Sequence, residues 1–196
     1  GVACLGLLLL IPLGMVKSTL HERQERYREA VAAVTATWGG AQRVAGPVLV
    51  VPYVYDETVT EPRLVSGRQV MDSHTVHVSG EACFLPEQLD VKGEVDPSQL
   101  KRGIYATTVY TAHLQLTGRF SAPRFEFVGA QDIRPLWDQA RVSFMISDLR
   151  GTQDKLVLKW GAEEVPLEPG AGFDGMGAGG HAPVKVAEGE GGEFSV

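Results

Sequence analysis

Residues 104–120 read IYATTVYTAHLQLTGRF, and this stretch decides the fold class. Ile104, Ala106, Tyr110, Ala112, Leu114, Leu116 and Phe120 share one parity, against Thr107, Thr111, His113, Gln115, Thr117 and Arg119 on the other. Successive side chains of a strand point to opposite faces, so the alternation predicts a half-buried strand, or two strands joined by a bend near Thr111. Short β-prone runs punctuated by Gly, Pro and Asp recur on both sides of it: Val48–Val51, Thr75–Val78, Phe125–Val128, Val142–Ser147, Leu156–Trp160 and Val184–Val186. Many short strands with one-sided alternation predict a mainly β protein, built as an antiparallel sheet or sandwich. The sequence holds no repeat of fixed period, and low complexity is confined to the Gly-rich stretches 170–180 and 188–192.

Working towards the N-terminus, the period switches at Gly46-Pro47 from strand to helix. Leu20, Tyr27, Val31, Val34 and Trp38 follow one another at steps that place them on one stripe of a helix. Glu22 with Arg26, and Glu25 with Arg28, have the spacing of weak pairs on the opposite face, and Gly39-Gly40 supplies a stop. Ahead of this helix, Val2 to Val16 read VACLGLLLLIPLGMV, fifteen residues without a charge. A bilayer span needs roughly 20 apolar residues, with about 17 as a practical minimum, so a few residues upstream would complete one. A retained anchor is favoured over a cleaved signal peptide, because the exit Leu13-Gly14-Met15-Val16-Lys17 offers no small-x-small site. It is favoured over a buried core helix, because no polar residue recurs at every third or fourth place. The expected organisation is a transmembrane helix over 1–16, a juxtamembrane amphipathic helix over 17–40, and an extracytoplasmic β-rich domain over 41–196. Both ends read as truncated: the apolar run begins at once after Gly1, and Glu193 to Val196 read as the opening of another strand.

Composition narrows the function classes. A 44% hydrophobic and 21% charged chain of 196 residues is that of a folded protein. A formal net charge of −6 argues against nucleic acid as a partner, since such surfaces concentrate Lys and Arg. The two cysteines are Cys4, inside the apolar run, and Cys83, so an internal disulfide is not expected.

No set of residues reads as a catalytic, cofactor or metal site. Gly175, Gly177 and Gly180 formally match G-x-G-x-x-G, but Glu168-Pro169-Gly170 precedes them and the strand-like HAPVKV follows. The fingerprint requires a strand feeding a helix, so a flexible loop is the better reading. His74 and His77, three apart on a strand, point to opposite faces and cannot share one ion without a bulge. His21 and His181 lie far away in sequence, with no Cys pair to supplement them. Asp148 and Arg150 in SDLRG read as a strand-end turn with an ion pair. Neither a G-x-S-x-G elbow nor a phosphate-binding glycine loop is present. The expectation is a protein that is not an enzyme and uses no cofactor.

In order, the chain carries LLLLIPLGMV, HERQERYREAV, AGPVLVVPY, KRGIYATTVYTAHLQLTGRF, SDLRG, EPGAGF and GGHAPV. This arrangement resembles the CreD family of inner-membrane proteins, across nearly the whole chain. Its most specific parts are Arg102 to Tyr105, Gly46-Pro47 and Arg150-Gly151, none of which is a catalytic signature. The resemblance implies a longer protein with a large periplasm-facing domain after the first span and further spanning helices near the carboxyl end. It also implies a role in cell-envelope integrity under stress, controlled by a sensor and response-regulator pair, with altered tolerance to colicins. No functional residue carries over. Expected partners are the lipid bilayer and other envelope proteins, with any small-molecule ligand unknown. The leading reading is a non-enzymatic envelope protein, which exposed apolar or aromatic patches on the β domain would favour. An accessory or substrate-presenting domain of a membrane transporter is the alternative, and a hydrolase with carboxylates clustered in a cleft is the least favoured.

Overall fold

The computed structural model describes residues 2–38, 42–65, 68–102, 105–147, 156–170 and 177–196. One unbroken helix, α1, runs Val2–Trp38, so the apolar run and the charged segment after it form a single element. The expected Glu22–Arg26 pair forms one helical turn apart at 2.6 Å. Leu20 and Tyr27 of the expected contact stripe are 60% and 45% exposed. Among the described residues no helix is long and apolar enough to cross a membrane. The side chains of residues 2–14, which make up most of the expected span, lie outside the described residues.

The chain divides into two compact units, Gly1–Ala41 with Glu94–His113, and Gln42–Gly93 with Leu114–Val196. Among the described residues eleven strands follow α1: β1 Val44–Val65, β2 Arg68–Phe84, β3 Gln88–Arg102, β4 Tyr105–Phe120, β5 Arg134–Pro135, β6 Arg141–Ile146, β7 Val157–Trp160, β8 Glu163–Pro166, β9 Glu168–Pro169, β10 Gly179–Pro183 and β11 Gly192–Ser195. One sheet has the order β2-β1-β6-β10-β9, with β5 beside β1, and the other the order β3-β4-β11-β7-β8. The second unit is a sandwich of these sheets. Leu49, Val51, Val142, Phe144 and Ala182 from the first sheet share a core with Leu116, Phe120, Leu158, Trp160 and Phe194 from the second. Of the two architectures expected from sequence, the sandwich is the one adopted.

β1 is central because nothing in Val48–Val51 is polar. Leu49, Val50 and Val51 are fully buried, flanked by β2 on one side and β6 on the other. The register against β6 shifts between Ala45 and Val48, where Gly46-Pro47 sits. Proline has no N–H for a ladder, and a bulge is where a sheet tolerates that loss. Beyond Tyr53, pairing of β1 with β2 continues to Val65↔Arg68.

Several expected elements differ. Phe125–Val128 is not a strand; Glu126–Val128 forms a single 3-10 turn closed by Gly129 in the left-handed region, φ 68°. Val184 and Val186 are buried yet lie outside any strand. They make isolated bonds: Val184 N–H donates to the Ala140 carbonyl at 2.9 Å, and the Lys185 carbonyl accepts from Trp160 Nε1 at 3.1 Å. The nearby strand β10 starts instead at Gly179 and Gly180, placed in a loop by the sequence reading. A Cβ on Gly179 would lie 2.0 Å from the Phe144 carbonyl oxygen, so glycine there lets β10 close on β6. β4 is one strand without a break at Thr111, and it is half-buried only towards its end: Leu116 is 6% and Phe120 3% exposed, against 64% for Tyr110 and 45% for Leu114. Strand alternation reports which residues share a face, and burial needs a second layer over that face.

Candidate functional site

Asp56 of β1 lies directly opposite His77 of β2, and its Oδ1 meets His77 Nδ1 while its Oδ2 accepts from Arg134 Nη2 of β5 at 3.0 Å. The His77 hydrogen bond is the largest influence and holds the Asp56 carboxyl below its ordinary range; desolvation, second in size, opposes it, and the charges of Arg134 and His77 reinforce it. All three side chains are open to solvent at 39% or more. This is a surface ion-pair group.

A second group has the composition of a hydrolytic triad. Ser143 of β6 registers with His181 of β10, which registers with Glu168 of β9. Ser143 Oγ is buried without a partner, so no substrate reaches it. His181 Nδ1 is taken by the Gly170 carbonyl at 2.9 Å, and Nε2 faces Glu168 Oε2 at 3.7 Å. A hydroxyl sealed in a sheet makes no nucleophile, whatever the histidine beside it. His77 meets Asp56 alone, and no group of three or more His, Cys, Asp or Glu among the described residues could hold a metal ion. Asp148 and Arg150 lie outside the described residues, as do Gly175 and the Gly103-Ile104 pair of the R-G-I-Y stretch.

What the molecule offers instead is an apolar surface. The end of β2 and the segment after β4 form an open cleft of about 550 Å³, lined by Cys83, Phe84, Leu85, Ser121, Ala122, Arg124 and Phe127. Its floor is rooted in the core, against which Phe84 and Phe125 pack together with Trp137. Edge-to-face ring contacts connect the floor to the rim: Phe125–Trp137 at 5.7 Å, Phe84–Phe125 at 5.4 Å and Phe84–Phe127 at 5.9 Å. Tyr53 joins Phe125 at 5.9 Å and continues to Tyr55 at 6.3 Å. At the rim, Leu85 is 74% and Phe127 66% exposed. Arg124 has no ion-pair partner among the described residues. Aromatic rings held by their neighbours present apolar area at little conformational cost, which suits binding rather than bond-making.

The sequence reading assigned no residue to this surface. The alternation of Phe125 and Phe127 predicts a strand where the structure has a 3-10 turn, and Phe84-Leu85 falls in no predicted element. A cluster of exposed bulky residues at CFL and FEF was the signal available in the sequence.

The whole chain, residues 1–196, matches the family described as Inner membrane protein CreD. It is 26% identical over 178 residues to the Inner membrane protein CreD of Escherichia coli (strain K12), covering 91% of this chain and 37% of that protein. The chain thus spans little more than a third of the length of that curated relative. No solved structure matches.

Proposed function

This chain belongs to the CreD family of inner membrane proteins, and from that premise we propose that α1 anchors it in the inner membrane, with the β-sandwich facing the periplasm. There the sandwich supports envelope integrity without catalysis, by docking an apolar segment of another envelope protein. The fifteen uncharged residues at the start of α1 support the anchor. A helix of 37 residues is roughly 55 Å long at 1.5 Å per residue, enough to cross a hydrocarbon core of about 30 Å and continue beyond it.

The observation that carries the docking role is the rim of the cleft, where Leu85 and Phe127 stand largely uncovered beside Phe84. Covering a side chain of this size stabilises a complex by about 1.5–3 kcal/mol, and clustered apolar exposure of this kind marks interaction sites. The test uses the full-length protein in its own cells, with Leu85→Asp and Phe127→Asp. Both residues are exposed, so the sandwich should keep its thermal transition while tolerance to envelope stress falls to that of a deletion strain. A photo-crosslinking residue at 127 should trap an envelope protein in the parent. If the double variant folds and protects the envelope as well as the parent does, docking through this surface is wrong.

A further inference from the structure

Among the described residues the terminal strands of the two sheets are β2, β9, β3 and β8, and three of them are protected. β9 is two residues long, Glu168–Pro169, and β8 is four, with Glu163, Glu164 and Pro166. β3 is long but carries Lys92, Pro97 and Lys101. Short length, lysine and proline are the ordinary means of preventing strands from adding to an edge. β2 has none of them. It runs 17 residues, RQVMDSHTVHVSGEACF, without a lysine or a proline, and among the described residues it pairs only with β1. Its apolar residues are left open: Met71 is 66%, Val70 49% and Val76 36% exposed. A long, uncovered edge of a two-stranded ribbon is the least self-sufficient kind of strand, since its outer N–H and C=O groups lack partners in the chain.

We propose that β2 pairs antiparallel with β2 of a second copy of this chain, about a two-fold axis through Ser73. Antiparallel neighbours related in this way keep their faces, so residues of equal parity meet. Centring on Ser73 sets Asp72 opposite His74 twice and Val70 opposite Val76 twice, with Met71 opposite Thr75. Centring on Asp72 would oppose two carboxylates, and centring on His74 or Thr75 sets Asp72 against a valine. Hydrogen bonding between carboxylate and imidazole therefore selects one register. His74 has no partner among the described residues, and Asp72 meets Arg63 at 3.5 Å across β1, so the new contact extends an existing pair. The Val70 and Val76 side chains lie on the face that continues from Leu49 and Val51, so on that face the joined sheet carries a Val70–Val76 pair at each end of the central Asp72–His74 pairs. This pairing is independent of the cleft at Leu85 and Phe127, which sits at the other end of β2.

The test is site-specific crosslinking in the full-length protein, in native membranes, with Cys4 and Cys83 replaced by serine. Ser73→Cys, bridged with a short bis-maleimide, is expected to double the mass of the chain. Val70→Cys alone and Val76→Cys alone stay at the mass of one chain, whereas the two co-expressed give the doubled band. Val70→Lys with Val76→Lys, on a chain that keeps its thermal transition, is expected to abolish the Ser73→Cys crosslink. Absence of the Ser73→Cys dimer, a V70C self-crosslink equal to it, or a crosslink to a protein of another mass would each overturn the proposal.

Discussion

The Cys83 thiol stands at the rim of the cleft, exposed to solvent but flanked closely enough for its neighbours to set its acidity. Desolvation raises its pKa, the Glu81 carboxylate raises it further, and Arg141, which pairs with Glu81, partly offsets both. Only the thiolate reacts with a maleimide, so labelling should be slower at neutral pH than for a free thiol and rise at a higher pH. Glu81→Gln should accelerate labelling at neutral pH, as followed by mass spectrometry, and no acceleration would remove Glu81 as a cause. Asp56 is the counterpart among the acids. Its folded-state pKa is depressed by His77 and Arg134, so its contribution to stability is present above the ordinary carboxylate pKa and is lost as pH falls through the lower folded value. Parent and Asp56→Asn should therefore differ in the pH dependence of stability only below about pH 4, with the acid limb less steep in the variant. An acid limb as steep in the variant as in the parent would contradict this assignment.

At the scale of elements, the second sheet is held by aromatic side chains meeting across short strands. Phe194 of β11 is 4% exposed and lies 5.2 Å from the Phe120 ring of β4, which in turn lies 6.0 Å from Trp160 of β7. The neighbouring Gly192 passes under the Trp160 indole, where a Cβ would come within 2.1 Å of the ring. Phe194→Ala should cost about 3–5 kcal/mol by urea denaturation, the range for deleting a buried phenyl ring. A loss below about 1 kcal/mol would mean that the ring is not integral to the core. The contrast is the ribbon of β1 and β2 beyond Tyr53, where exposure begins on both faces and residue identity has little bearing on the core. Strand existence was legible in sequence for β4, β6 and β7, because Leu116, Phe120, Val142, Phe144, Leu158 and Trp160 alternate with polar or smaller neighbours. β3 was not, because QLDVKGEVDPSQLKR mixes apolar and charged residues without a sustained period.

For the whole molecule, the testable consequence is topology. Cys83 is exposed, so a membrane-impermeant maleimide applied to intact cells at mildly alkaline pH should label it if the sandwich faces the periplasm. Labelling only after lysis would place the sandwich in the cytoplasm and reverse the proposed orientation. An exposed thiol makes the assay direct, because denaturation is not needed to reveal it. The same placement would put the cleft and the β2 edge where envelope proteins and a second copy of the chain can reach them.

Sequence alone determined the mainly β class, the long N-terminal helix with its uncharged first half, and the lack of any recognisable catalytic motif. These follow from local rules, since backbone period and charge are written into neighbouring residues. Tertiary structure decided which strands meet, and with it the site. β6 lies between β1 and β10, partners distant in the chain, and beside it Val48 to Val51 of β1 are buried. The same alternation that predicts a strand cannot tell Leu116, covered by the opposite sheet, from Tyr110, which is not. Leu85 and Phe127 form a surface for the same reason: their exposure depends on the layer that the rest of the fold does not place over them.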